Sequence, residues 1–184
     1  GYSLGGHPMY QINFPSDGNS WLYDGATKYW SELKSGTGRH RAELGVDFIN
    51  QMVVADYSNG KLYRLDQDVY TDNGDTIQMQ LTGKHIRNEN KMLRLDRLEV
   101  NGEMGVGLVS GQGSDPQMIL QLSKDGGHSF GTEMWADMGK IGEYARRCVF
   151  SHLGSGRDIV PRITITDPVK RVLTTAVLSA EAGR

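Results

Sequence analysis

Five arginines could bind a carboxylate or a phosphate group, and they are Arg39, Arg41, Arg146, Arg147 and Arg157. A sialidase-like site would bring several arginines together with a tyrosine and carboxylates. The spacing of these five does not assemble such a cluster. Short basic runs are more often solvated or ion-paired with neighbours. The arginines therefore predict no catalytic residues, and a contact to phosphates or acidic partners stays open for them.

A second candidate is the segment 123–130, which reads Ser-Lys-Asp-Gly-Gly-His-Ser-Phe and matches the Asp-box pattern S-x-D-x-G-x-[ST]-[WF]. In such a turn the Asp caps backbone amides, a Gly takes positive φ, and the aromatic holds the loop on the sheet. Sialidase-type propellers carry such turns, usually away from the catalytic face. We interpret the segment as a structural turn made by Ser123, Asp125, Gly127, Ser129 and Phe130.

The sequence gives little indication of a metal site or a nucleotide-binding loop. The histidines His7, His40, His85, His128 and His152 lack the spacing of a metal-binding pair on one helix or strand. The glycine-rich segment 102–113 lacks the Gly-Lys-Ser/Thr of a phosphate loop and favours a flexible hairpin or bulge. The acidic connector 66–76 lacks the ligand order of a calcium-binding loop. We expect no catalytic, cofactor or metal site, and we expect the protein not to be an enzyme.

The first third of the chain is rich in aromatic residues. Trp21, Tyr23, Tyr29 and Trp30 could form a platform on which sugar rings stack, or they could fill the core of a sheet. The core interpretation is favoured because aromatic side chains at strand spacing are usually buried.

Composition indicates a β-rich protein. The 184 residues include 24 Gly and 5 Pro and carry a formal net charge of −2. Frequent glycine in a non-repetitive sequence indicates many tight turns between short strands. The charge excludes a global basic field for gripping nucleic acid. The single Cys148 excludes a disulfide within the chain and favours a reducing compartment. No apolar run is long enough to span a membrane.

Strands must position all of these residues, because no segment shows a sustained helical period. The best helical candidate, 142–149, is poor. The predicted strands are 9–14, 20–23, 28–33, 42–49, 51–56, 61–65, 76–81, 92–100, 106–110, 117–123, 132–135, 145–153, 160–166 and 172–180. Asn59-Gly60 between apolar runs is a strong hairpin signal.

Two copies of one unit are indicated in the first part of the chain. Lys28-Tyr29-Trp30 and Lys61-Leu62-Tyr63 match at a spacing of 61 − 28 = 33 residues, which suits propeller blades. The sequence therefore predicts an all-β protein with almost no helix. Residues 1–70 form partial propeller-like blades and residues 71–184 an antiparallel β-sandwich. Because the chain opens without Met, we expect it to be part of a longer protein.

Seven short phrases together resemble one family. They are GHPMY at 6–10, GRHRA at 38–42, DYSNGKLY at 56–63, YTDNGD at 70–75, GQGSDPQ at 111–117, GKIGEY at 139–144 and ITDPVK at 165–170. In order and density they resemble the C-terminal part of the packaged-DNA stabilisation proteins of short-tailed bacteriophages, also called tail hub or tail accessory proteins.

The resemblance implies a structural role in the virion tail, for a protein made in the cytoplasm of the host bacterium. Copies would form a ring, expected to be a hexamer, beneath the portal and its adaptor ring. This ring would close the channel after DNA packaging and attach the tail needle and tailspike. The family offers no catalytic residues to carry over. Incidental contact with packaged DNA is left open, and no membrane contact is expected.

The alternative hypothesis is a carbohydrate-binding or sialidase-like β module. The Asp-box turn, the aromatic first part and the sandwich pattern motivate it. The seven family phrases favour the tail protein.

Overall fold

The computed structural model describes residues 1–183 and contains no helix in that range. The strands are Tyr2–Leu4 (β1), His7–Phe14 (β2), Asn19–Asp24 (β3), Trp30–Ser35 (β4), Gly38–Arg39 (β5), Ala42–Phe48 (β6), Gln51–Asp56 (β7), Leu62–Arg64 (β8), Thr71–Asp72 (β9), Asp75–Thr76 (β10), Met79–Thr82 (β11), Leu93–Gly102 (β12), Gln117–Ser123 (β13), Met134–Asp137 (β14), Cys148–Gly156 (β15), Val160–Ile165 (β16) and Leu173–Ala182 (β17). The all-β prediction is therefore confirmed.

The chain divides into two compact units, Gly1–Asp75 and Thr76–Arg184. The division falls inside the acidic connector 66–76. In the first unit, consecutive strands pair antiparallel as a five-stranded sheet (β1 to β5) and a three-stranded sheet (β6-β7-β8). The short pair β9–β10 follows them.

Two turns of the first unit share two hydrogen bonds at corresponding positions. Asp24 N donates to Tyr29 O at 3.0 Å, and Asp56 N donates to Lys61 O at 3.0 Å. Each aspartate also accepts a backbone N–H two residues on through Oδ1, at 2.8 Å for Asp24 and 2.7 Å for Asp56. The copies therefore correspond at 56 − 24 = 32 residues, and the predicted spacing of 33 is wrong by one.

The strands that flank these turns keep the same correspondence. Trp30 pairs with Tyr23 across β3–β4, and Leu62 pairs with Ala55 across β7–β8. Each copy is thus a three-stranded antiparallel meander, made of β2-β3-β4 or of β6-β7-β8.

The second unit packs two antiparallel sheets around one core. One sheet has the order β11-β16-β13-β14 and the other has the order β15-β12-β17. Inward side chains of both sheets form one buried cluster, which includes Leu95, Val100, Met118, Leu120, Cys148, Phe150 and Ile165. Burial of this apolar area is the main stabilising contribution to the unit.

A β-bulge in β12 explains why the apolar pattern of this strand alternates only in part. The register shifts between Leu95 and Arg97. Leu95 and Leu98 are consequently both buried although they are three residues apart. An extra residue in a strand turns the following side chains to the opposite face, so the core pattern resumes out of phase.

The predicted strand 106–110 is wrong, because this segment is a loop. Gly105 and Gly111 adopt φ of 70° and 79° on either side of it, and Leu108 N donates to Gly113 O at 2.7 Å to close a turn. The N–H of Leu108 is used in this turn, and within residues 1–183 no strand pairs with the segment. The segment 142–149 is likewise not helical, since turns lead directly into β15.

Candidate functional site

The predicted Asp-box residues lie in one turn directly after β13. The Asp125 carboxylate accepts hydrogen bonds from Ser123 Oγ at 2.6 Å, Ser129 N at 2.9 Å and Ser129 Oγ at 2.5 Å. Ser123 Oγ in turn accepts from Gly127 N at 2.8 Å. The bonds from Ser123 and Ser129 hold the pKa of Asp125 well below its usual range.

The rest of this turn anchors it to the sheet. Gly126 and Gly127 adopt φ of 72° and 95°, which an L side chain rarely adopts. The Arg162 guanidinium of β16 lies 3.3 Å from the centre of the Phe130 ring. Because the carboxylate bonds within the turn and the aromatic packs on the sheet, the arrangement can hold a loop in place.

A charged cluster beside this turn was missed by the sequence reasoning. Asp158 accepts from Arg87 at 2.8 Å through Oδ2 and lies 2.8 Å from His85 Nδ1 through Oδ1. The Arg87 hydrogen bond, followed by that of His85, lowers the pKa of Asp158. His85 and Arg87 flank Ile86, whereas Asp158 is 73 residues from His85, and the antiparallel bridge between Ile86 and Ile159 brings the three together. No local motif could have indicated this.

The five arginines highlighted by the sequence do not form one cluster. Arg39 and Arg41 belong to the first unit, and Arg146, Arg147 and Arg157 belong to the second. Arg39 pairs with Glu43, Arg146 pairs with Asp137, and Arg147 lies 3.3 Å from Glu99. These local carboxylates neutralise the guanidinium groups, and the pairs of Arg146 and Arg147 are ordinary surface ion pairs.

Arg41 differs because its guanidinium contacts two carboxylates. Its guanidinium lies 3.2 Å from Asp56 and 2.5 Å from Asp72. The hydrogen bond from Ser58 N is the main cause that lowers the pKa of Asp56, and Arg41 adds to it. This ion pair links the Asp56 turn to β9 and so holds the end of the second meander.

The histidines stay separate from one another. His7 lies 2.8 Å from Asp24, and this hydrogen bond is the main cause that lowers the pKa of Asp24 to about 2. His40 is half-buried, and burial lowers its pKa. Within residues 1–183 no group of three or more His, Cys, Asp or Glu side chains could hold a metal ion. The same range contains no helix able to span a membrane.

The aromatics of the first unit are placed differently from the core prediction, which is wrong for three of the four. Trp21 is 39% exposed, Trp30 is 51% exposed and Tyr29 is 77% exposed. Tyr23 is half-buried and packs on Trp30 with ring centroids 5.0 Å apart. Side chains on alternate strand positions share one face, and here the face that carries the large rings is open.

Two surfaces result, one on each meander. The aromatic face of β2-β3-β4 consists of Tyr10, Phe14, Trp21 and Trp30. The mainly aliphatic face of β6-β7-β8 consists of Leu44, Val46 and Leu62 together with Phe48. Exposed apolar patches of this size are typical of interaction sites. They are the best candidates for a functional surface in the chain.

The architecture defines an all-β protein with exposed apolar faces on its first unit. The family model of Bacteriophage P22 Gp10, beta-sandwich, matches residues 78–181, which is more than half of the chain. The chain belongs to this family, and it is a structural component of a phage tail hub, in the virion tail. No curated protein matches the chain.

Proposed function

We propose that this chain helps to close the portal channel after DNA packaging and anchors other parts of the tail, as one of several identical copies in a ring. The observation that carries the proposal is the family membership of the sandwich together with the uncovered apolar faces of the first unit. A hub must bind several neighbours at once, and rings form where heterologous contacts close under rotation.

The electrostatics support protein contacts more than a continuous grip on DNA. The formal net charge is −2, and the basic clusters of the sequence are neutralised by carboxylates of the same chain. A protein that binds DNA mainly through phosphates needs free Lys and Arg side chains. We therefore propose the portal or adaptor ring, the needle and the tailspike as partners, with DNA held by closure of the channel.

The test is DNA retention in phage particles. Particles assembled without this protein should package DNA and then lose it, which is measured as a fall in nuclease-protected DNA. They should also lack needle and tailspike on a denaturing gel. Complementation by the wild-type gene should restore both. Particles that keep their DNA and all tail parts without the protein would overturn the proposal.

A second candidate function is sugar binding, favoured by the exposed rings of Trp21 and Trp30. Stacking on sugars needs aromatic rings, whereas the matching surface on the second meander has one ring, Phe48, among aliphatic side chains. This repeat of an apolar but mainly aliphatic surface favours protein contacts. Glycan-array binding that is lost in Trp30→Ala would support sugar binding, and a blank array would remove it.

A further inference from the structure

Residues 40–42 form the junction between the two meanders of the first unit, and they belong to the phrase GRHRA at 38–42. Ala42 begins β6 and is 3% exposed. Its carbonyl oxygen accepts from Asn13 Nδ2 at 2.7 Å and from Gln11 Nε2 at 3.3 Å, and both donors belong to β2. Side chains of the first meander therefore hold the first residue of the second meander in place.

His40 holds the backbone N–H of the same residue. Its ring nitrogen Nδ1 accepts from the Ala42 N–H at 3.3 Å, and Gln11 Nε2 lies 3.4 Å from this nitrogen. The backbone N–H of His40 donates at 3.1 Å to Oγ of Ser20 on β3, a residue that is fully buried. A backbone N–H and an amide NH₂ group can only donate, so Nδ1 is the unprotonated nitrogen of a neutral imidazole.

Three charged side chains lie close enough to act on this imidazole. Burial is the main cause that lowers the pKa of His40, Arg41 adds to it, and the carboxylates of Asp72 on β9 and Asp56 on β7 oppose it. The Arg41 guanidinium already binds both carboxylates, at 3.2 Å from Asp56 and 2.5 Å from Asp72, so their attraction for an imidazolium is reduced. The side chains of β2 and β3 that bond to His40 are uncharged. The surroundings of the junction therefore favour the neutral ring.

We propose that His40 is a pH-dependent switch at this junction: the neutral imidazole holds Ala42 at the start of β6, and protonation of Nδ1 from solvent releases it. The added proton on Nδ1 points at the N–H of Ala42 and at the amide of Gln11, so donors face donors. A buried donor left without an acceptor costs more than the original hydrogen bond contributed. Because the aromatic face lies on one meander and the mainly aliphatic face on the other, release of the junction lets the two faces move relative to each other. The switch is a property of the first unit alone and goes beyond the proposed function.

The first experiment uses the wild-type chain, so it does not depend on the folding of a variant. Nitrogen NMR shifts of the His40 ring in an isotope-labelled chain should show an unprotonated Nδ1 and a protonated Nε2 at about pH 7. The ring should titrate below the ordinary histidine value of about 6.5, and the amide signal of Ala42 should shift with the same midpoint. A protonated Nδ1 at neutral pH, a midpoint at or above about 6.5, or an Ala42 amide that does not follow the ring would overturn the inference.

The second experiment compares two uncharged replacements of His40. In His40→Asn the amide oxygen takes the place of Nδ1, whereas in His40→Gln the longer side chain puts its amide near the place of Nε2. At about pH 7, His40→Asn should keep the stability of the first unit, and His40→Gln should lower its folded-to-unfolded ratio by roughly two- to tenfold through the lost hydrogen bond. The folded pKa of His40 is lowered, so the contribution of the neutral ring is fully present above the unfolded value of about 6.5 and is lost as pH falls through the folded value. Wild type should therefore lose more stability on acidification than His40→Asn.

Urea unfolding followed by the fluorescence of Trp21 and Trp30 measures these stabilities, in a Trp135→Phe background that removes the signal of the second unit. The matched control is His128→Asn, an exposed histidine of the second unit, which should leave the acid response of the first unit unchanged. An acid loss that is equal in wild type and His40→Asn, or equal stabilities of the two His40 variants at neutral pH, would overturn the inference. Because these measurements use the purified chain, their failure would leave the tail role standing, and particles that keep their DNA without the protein would leave the switch standing.

Discussion

Lys28 and Gly60 occupy the same position in the two repeated turns of the first unit, with φ of 65° and 68°. Both lie in the left-handed region, where an L residue pays about 1–2 kcal/mol and glycine does not. The turn closed by Asp24 therefore carries a backbone cost that the turn closed by Asp56 avoids.

We expect Lys28→Gly to stabilise the first unit by about 0.5–1 kcal/mol. The relief of the left-handed cost exceeds the extra backbone freedom that glycine gives the unfolded chain, about 0.5–1 kcal/mol. The measurement is urea unfolding followed by the fluorescence of Trp21 and Trp30.

The matched variant is Gly60→Ala, which should destabilise the same unit by about 1 kcal/mol. No other heavy atom lies within 4 Å of a Cβ built at Gly60, so steric contact does not contribute. Equal effects of both substitutions in the same direction would contradict this account.

The repeat itself could be predicted from the sequence, but its register could not. The shared Lys followed by aromatic or apolar residues suggested that Lys28 matches Lys61. The hydrogen bonds of Asp24 and Asp56 instead align Lys28 with Gly60. A lysine and a glycine look unrelated in sequence, yet the backbone conformation that they share is what the turn conserves between copies.

Replacement of Asp125 by Asn should lower the thermal midpoint of the second unit at pH 7. The amide keeps one acceptor but loses the charge that accepts three hydrogen bonds from Ser123 and Ser129. Charge-assisted bonds are stronger than neutral ones. The matched control is Asp115→Asn, an exposed loop aspartate, which should leave the midpoint unchanged.

The stabilising effect of Asp125 should also depend on pH. The folded pKa of Asp125 is depressed, so its contribution is fully present above the unfolded value of about 4 and is lost as pH falls towards the folded value. The difference between wild type and Asp125→Asn should therefore be largest near neutral pH and shrink below about pH 4. Chemical unfolding at several pH values measures it, and a constant difference would contradict the assignment.

In the second unit, truncating a buried side chain should cost much more stability than truncating an exposed one. Leu120 is fully buried on β13, so Leu120→Ala should cost about 2–5 kcal/mol through lost burial and a residual cavity. Val109 is 84% exposed in the loop that was expected to be a strand, and Val109→Ala should stay within about 0.5 kcal/mol. Unfolding followed by Trp135 fluorescence measures both free energies. Similar losses of stability at the two positions would contradict the placement of Leu120 in the core and Val109 in an exposed loop.

Cys148 should be protected from thiol reagents while the protein is folded. It is fully buried in the core, and its Sγ donates to Asp137 O at 3.3 Å. Burial, followed by the charge of Asp137, raises the pKa of the thiol to about 11. Labelling with a disulfide reagent at pH 8 should be slow in buffer and immediate in denaturant. Rapid labelling of the folded protein would contradict this burial.

The raised pKa also predicts an alkaline loss of stability. The neutral thiol contributes fully below the unfolded pKa of about 8.5, and this contribution disappears as pH rises through about 11. The variant Cys148→Ala should not show the part of the alkaline stability loss that comes from the thiol. The other titrating groups are the same in both proteins, so they contribute equally.

The fold class was predictable because strands alternate and glycine-rich turns separate them, as β16 shows with Ile163 and Ile165 turned into the core. The exposure of Trp21 and Trp30 was not predictable. Alternation indicates that one face is apolar, but it does not say whether another sheet covers that face. The ion pair of His85 with Asp158 was also hidden, because 73 residues separate the two partners.

Unequal burial of apolar groups gives the two units different responses to temperature. Unfolding raises the heat capacity mainly by hydrating nonpolar groups that were dry. The rings and branched chains on the outer faces of the first unit are hydrated already, so its unfolding should add less heat capacity per residue than that of the sandwich. The free energy of unfolding of the first unit should therefore change less steeply with temperature. In an assembled hub, the heat-capacity change from hydrating these outer faces would instead accompany separation of the subunits.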